Sequence, residues 1–324
     1  MGRFSCPPSE LSVQYDKPHL TYEQLVHVLE DRGMRVDDFP EAIRVLKRVG
    51  YYRLSAYTYV LRAPSPDGTP SSTRSSQFVD GARFEDAVQL CEFDSRLRTV
   101  VLAGLQTLEL GLRVRIGHEL GKIHPHAHMN SSHLDPAQPE GAHARWLEKY
   151  RELLHEGRNE EYVTHFLVKY DGQLPVWAAT EVMTFGCLTA LFALMPPKPA
   201  SKIATDIGAS GRDPLHAWMR ALNVLRNNCA HNARIWNRTT IYPPAKTRSA
   251  LEPDRISHLR SADNNKLYFL CALAAHLLRN IDRDSQWPSS FVTAMRKFPA
   301  VNGMTPQTTM GFPADWESLD LWRR

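Results

Sequence analysis

The 324-residue chain has only five cysteines, Cys6, Cys91, Cys187, Cys229 and Cys271, and no C-x-x-C spacing. An odd set so widely scattered argues against a disulfide framework and against a thiolate zinc site. Three of the five fall inside apolar helical patterns and read as small core residues. A cytoplasmic setting is the simplest expectation. A charge-free run of eighteen apolar residues is also missing, which excludes a transmembrane helix. The start, MGRFSCPPSELSVQYDKP, has no apolar stretch of signal-peptide length. Met1-Gly2 is a poor myristoylation signal, because Cys6 stands where Ser or Thr is wanted. Internal repeats and an alternating strand series are missing too, so the expected class is all-α. Neither sign of charge dominates: the net charge is +4, compatible with nucleic acid without demanding it.

What is present is helical periodicity. Hydrophobic residues make up 43% of the chain and charged residues 23%, enough for a core and a solvated surface. Thr21 is placed to cap a first helix that Gly33 ends, and Asp37 or Asp38 to cap a second with Pro40 in its first turn. GYYRLSAYTY reads as helix or strand. Residues 63–80 read as a Pro/Ser/Gly loop. A long helix is expected from Phe84 to about Leu120, with the stripe Leu97, Val101, Leu105, Leu108, Leu112, Ile116 and Leu120. Gly104, Gly111 and Gly117 are its weak points, and Arg96, Arg98, Arg113 and Arg115 its polar face. A His-rich loop follows at 122–143, then helices near 144–156 and 159–170. Pro175 opens an apolar helix that runs to Met195, and a short helix is expected at 201–208. Asp213-Pro214 is a good start for the next helix, LHAWMRALNVLRNNCAHNARIW. Asp263 caps a helix with Leu267, Leu270, Leu273 and Leu277, and a last helix starts near Pro288.

The segment Leu225–Arg234 carries the chemistry. At about 100° per residue, Leu215, Trp218, Leu222, Leu225, Cys229 and Ala233 form one apolar face. The opposite side gathers Arg220, Asn223, Asn227, His231, Arg234 and Arg238. That stripe of amides, imidazole and guanidiniums contains no carboxylate, and it suits a phosphodiester backbone. Arg226 falls at the edge of the apolar face, where it must be paired or emerge at a cleft. Glu109 and Glu181 are its candidate partners. Arg226 and His231 point about 140° apart on an ideal helix, so one helix does not focus both on one atom. Two such helices facing each other would, which predicts a homodimer with a composite site.

RNA carries its own nucleophile in the 2′-hydroxyl. Its cleavage needs a group that moves protons near neutral pH, which suits His231. It also needs fixed positive charge on the phosphorane, which suits Arg226. Asn227 is placed to orient the phosphate or the imidazole. Neither a metal nor a cofactor is required by this scheme.

R-N-N-C-A-H resembles the R-x4-H motif of HEPN ribonuclease domains. The wider LRNNCAHNARIWNR resembles the Abi family of abortive-infection proteins (AbiD/AbiF type). KPHLTYEQLVHVLEDRGM, GYYRLSAY, FDSRLR, LELGLRVRIGHEL, LPVWAATEVMTFGCL and MGFPADW agree with it, in the family's order. The resemblance implies a HEPN-like helical bundle, dimerisation, metal-independent endoribonuclease activity and a toxin's role in phage defence. A structured small RNA or a protein is the implied regulatory partner. The expected organisation is an N-terminal helical region with a flexible loop (1–80), a HEPN-like domain (81–298) and a C-terminal tail packed on the body (299–324). Arg226, His231 and Asn227 are the expected catalytic residues. Arg220, Asn223, Arg234, Arg238, Arg113 and Arg115 are the expected RNA contacts.

Plainer readings compete with several of these. Arg226 and His231 can be a structural arginine and a helix cap, and the whole fold can bind RNA without cutting it. His124, His126, His128, His133 and His143 fit no helix-borne metal pair and read as a solvated loop that can touch phosphates. Trp316 and Trp322 read as pins that hold the tail.

Overall fold

A computed structural model describes residues 18–65, 74–246, 251, 254–301 and 303–323. Met1-Gly2, Cys6 and the middle of the 63–80 loop lie outside the described residues. Two compact units divide the chain, Met1–Cys91 and Glu92–Arg324. No helix among the described residues is long and apolar enough to cross a membrane.

In the first unit, α1 (Tyr22–Asp31) starts at a capping box in which Thr21 and Gln24 satisfy each other's backbone N–H groups. It is followed by Gly33 in the left-handed region at φ 88°. Helix α2 (Phe39–Val49) is capped by Asp38, with Pro40 in its first turn. The ambiguous aromatic segment is helical, α3 (Tyr51–Thr58), and buries Leu54 and Tyr57. The 63–80 loop is flanked by a small antiparallel hairpin, β1 (Arg62–Pro64) with β2 (Arg74–Phe78), in the register Arg62 to Phe78. Period-2 patterning is too short here to register as a strand signal.

Helix α4 (Phe84–Gly121) is 38 residues long, about 57 Å, and unbroken. All seven residues of its expected stripe are buried. Its glycines are sites of close approach rather than weak points. A Cβ on Gly104 would lie 2.3 Å from the Trp287 ring, and one on Gly111 2.5 Å from Ile281. Its polar face is also less uniform than expected. Arg98 is buried and paired with Asp94 one turn before it, whereas Arg96 is exposed.

The second unit continues with α5 (Ala142–Glu156) and α6 (Glu161–Lys169). The apolar segment after Pro175 is two helices, not one: α7 (Val176–Ala179) and α8 (Phe185–Leu194). Thr184 breaks it, because its hydroxyl caps α8 by accepting the Cys187 N–H. Helices α9 (Pro197–Asp206), α10 (Arg212–Ala230), α11 (Leu267–Ile281), α12 (Trp287–Met295) and α13 (Pro306–Met310) complete it. Helix α10 packs against α8, α9 and α11. Trp218, Leu222 and Leu225 fill the space beneath it. Helix α11 is buried from Leu267 to Leu278, so it reads as hydrophobic all round. The tail is held by a ring cluster: Trp322 stacks on Phe291 at 4.9 Å and meets Trp316 edge-on at 5.6 Å.

The His-rich loop is not simply solvated. His128 is fully buried, edge-on to Trp146 and Tyr150, and neither ring nitrogen has a partner. His143 bonds the His128 carbonyl at 2.8 Å, which pins the loop to α5. His124 and His133 stack at 4.9 Å.

Candidate functional site

Helix α10 was expected to run through Trp236. It ends at Ala230, with His231 as its C-cap. Asn232 takes the left-handed conformation at φ 56°. The Asn232 N–H bonds the Cys229 carbonyl at 3.2 Å, and the Ala233 N–H bonds the Asn228 carbonyl at 2.8 Å. Those two bonds define a Schellman motif, and Asn is the non-glycine residue best suited to its left-handed position. The stop has a direct consequence. Arg234 and Arg238 lie beyond the helix and do not extend its polar stripe, correcting the wheel. His231 is exposed at the tip. Its imidazole makes no hydrogen bond among the described residues, so both ring nitrogens are open to a ligand.

The chain beyond His231 is anchored from α4. Asp94 is fully buried. Its carboxylate accepts the N–H groups of Ile235 at 3.1 Å and Trp236 at 2.7 Å, and also pairs with Arg98. Trp236 and Ile235 are buried beside it. Asp94 therefore fixes the turn that leaves the His231 tip. The chain wheel of α10 does not reveal this residue. The signal was the charged pair Asp94/Arg98, at i and i+4, interrupting an apolar stripe.

Arg226 lies on a different side of α10, facing α4. Its Nε donates to Glu109 Oε2 at 3.2 Å. The other oxygen of Glu109 accepts Arg113 Nη2 at 3.0 Å. Arg113 also donates to the Met183 carbonyl at 2.9 Å, which is available because Met183 is extended where the 3-10 turn Thr180–Val182 ends ahead of α8. Glu181 lies 3.6 Å from Arg113 Nη1. Of the two carboxylates proposed for Arg226, Glu109 is the partner and Glu181 serves Arg113 instead. Two guanidiniums thus share one buried carboxylate. Among the described residues the Nη atoms of Arg226, whose side chain is 29% exposed, have no acceptor.

The other expected contacts separate. Arg220 is exposed and lies over the Tyr242 ring, 5.2 Å from its centroid. Asn223 stands against Gly186, on the wall of a groove between α5, α8 and α10. Asn227 is exposed on the same side as His231. Arg115 turns away, donating to the Gly111 carbonyl of its own helix at 3.0 Å. Cys229, under the motif, is no nucleophile: burial, then the Asp94 charge, pushes its thiol up to about 12. Among the described residues no three His, Cys, Asp or Glu side chains are grouped to hold a metal ion.

The class these features define is an all-helical protein with an exposed histidine at a helix tip and a paired arginine five residues before it. A profile of the Abi-like protein family matches residues 44–237, more than half the chain, and the chain belongs to that family. It takes its name from abortive infection, a phage-defence response. The match stops one residue past Trp236, so it contains the Arg226 cluster, the His231 tip and the Asp94 anchor. No curated protein and no solved structure matches the chain.

Proposed function

We propose that the protein is a HEPN-type endoribonuclease, acting in the cytoplasm as the toxin of an abortive-infection response and held in check by an RNA or protein partner. The observation that carries this reading is the pair formed by an open imidazole at the α10 tip and a guanidinium fixed by Glu109. The 2′-oxygen of RNA attacks the adjacent phosphorus and the P–O5′ bond breaks. The 2′-hydroxyl gives up one proton and the departing 5′-oxygen gains one. His231 is the group that moves protons. Arg226 offers its Nη donors to the phosphorane charge, and Asn227 orients it. Neither role calls for a metal ion. The products are a 2′,3′-cyclic phosphate and a 5′-hydroxyl. Mapping the ends of cleaved RNA tests this, because hydrolysis by attacking water leaves an ordinary phosphate instead.

Arg226 and His231 diverge by about 140° around α10. A homodimer in which each α10 meets its mate brings the Arg226 of one chain to the His231 of the other. An exposed apolar strip beside the Arg113 cluster supports such a contact: Leu110 is 53%, Val114 59% and Trp177 52% exposed. The same divergence favours a second reading, a protein that binds RNA without cutting it. That reading expects salt-sensitive binding and no His231-dependent turnover.

A further inference from the structure

The groove between α5, α8 and α10 is a cavity of about 800 Å³ that opens on the surface. Arg145 and Lys149 come from α5, and His216 and Arg220 from α10. None of the described residues lining it is acidic. Lys149 pairs with Glu152, which does not line the groove, at 2.8 Å, and Arg145 donates to the Glu140 carbonyl at 3.3 Å. Both side chains are exposed, as is Arg220. The floor is apolar: Ala190, Ala193 and the buried Trp146, whose indole N–H is fixed to the Cys187 carbonyl at 3.0 Å. Tyr242 closes one side, about half exposed, with the Arg220 guanidinium over its ring.

The groove shares a helix face with the His231 tip. His216, Arg220, Asn223, Asn227 and His231 fall within about 80° of one another around α10. Arg220 and His231 are separated by about 16 Å along the axis, a span of a few nucleotides. Burial lowers the affinity of His216 for a proton, reinforced by Arg220 and Arg212, so its neutral ring both donates and accepts.

We infer that this groove is a binding track for unpaired RNA, which holds the backbone on Arg145, Lys149 and Arg220, seats a base against Tyr242 and leads the strand to the tip of α10. Cations on two facing walls with an aromatic ring beside one of them combine the backbone and base contacts that single strands use. A duplex hides the faces of its bases and gains nothing from Tyr242. The direction of the track rests on the ribonuclease reading, but the binding does not.

Binding is measured on His231→Ala protein, so that cleavage does not intervene, with a labelled single-stranded RNA, its duplex and the matching DNA strand, over a range of salt. The added triple Arg145→Ala/Lys149→Ala/Arg220→Ala should weaken single-strand binding at least tenfold. It should also make the slope of log K against log salt shallower by about 2, as expected for three lost phosphate contacts. Tyr242→Ala should weaken the single strand about tenfold and leave the duplex unchanged. All these side chains are exposed, and circular dichroism checks the fold. An unchanged slope, an equal loss in a Lys47→Ala/Arg48→Ala control, or a preference for the duplex overturns the track. Each of those results leaves the cleavage reading standing, because cleavage is assayed separately on the wild-type chain.

Discussion

Glu109 on α4 takes the Arg226 guanidinium at 3.2 Å while holding Arg113 with its other oxygen. The carboxylate is buried and both arginines are partly so, which makes the two ends of the interaction unequal. Removing Glu109 strands Arg226 and leaves Arg113 with only the Met183 carbonyl and the more distant Glu181. Removing Arg226 leaves Glu109 still paired with Arg113. Glu109→Ala should therefore destabilise the fold by about 3 kcal/mol, and Arg226→Ala by clearly less. Urea unfolding measures both, and the reverse order would contradict the shared-carboxylate arrangement.

Asp94 holds the turn after His231 through two backbone N–H groups and Arg98. Asp94→Asn keeps the shape but uncharges the acceptor and strands Arg98. The expected cost is about 3 kcal/mol. The Ile235 and Trp236 amides should lose hydrogen-exchange protection well before those at the centre of α11. Protection that falls evenly through the unit would assign Asp94 a general structural role instead.

His128 gives the fold an acid-sensitive element. Burial is the main cause that lowers its pKa to about 3 from the ordinary 6.5, with smaller contributions from His126 and His143. The folded protein keeps this ring neutral while the unfolded chain protonates it below about 6.5. Its contribution is complete above that pH and fades as the pH falls toward 3, at about 1.4 kcal/mol per pH unit. His216, His258 and His276 are shifted in the same direction by burial and add in the same sense. His128→Phe should flatten the dependence of unfolding free energy on pH between 6 and 4 by about one proton. An unchanged slope would mean that the ring reaches solvent.

The dimer is tested by complementation. Arg226→Ala and His231→Ala proteins, each inactive, should regain RNA cleavage when mixed, because a mixed dimer contains one site with both groups intact. Leu110→Glu/Val114→Glu should give monomers in sedimentation and lose activity without loss of helix content. Full activity in a monomer would contradict the composite site.

The sequence was legible wherever one face repeated along a long helix. The α4 stripe, the apolar face of α10 as far as Cys229 and the cap Thr21 are local properties and lie where the sequence places them, and of Asp37 and Asp38 the cap is Asp38. The failures occurred where a short polar side chain competed with the helix. Thr184 splits the segment after Pro175, and Asn232 stops α10 before Arg234, because both offer the backbone a local alternative that an apolar pattern cannot register. The site divides the same way. That Arg226 needs a carboxylate followed from the cost of an unpaired buried charge, which left Glu109 and Glu181 both open. The Asp94 anchor and the α5 wall of the groove did not, because both depend on contacts between residues far apart in the chain.

The most direct test is cleavage itself. Wild-type protein, Arg226→Ala and His231→Ala are incubated with labelled single-stranded RNA and the matching DNA, with and without EDTA. RNA alone should be cut, EDTA should make no difference, and both variants should be inactive while still binding RNA. RNA cleavage that persists in His231→Ala, at the wild-type rate, would overturn the assignment of His231.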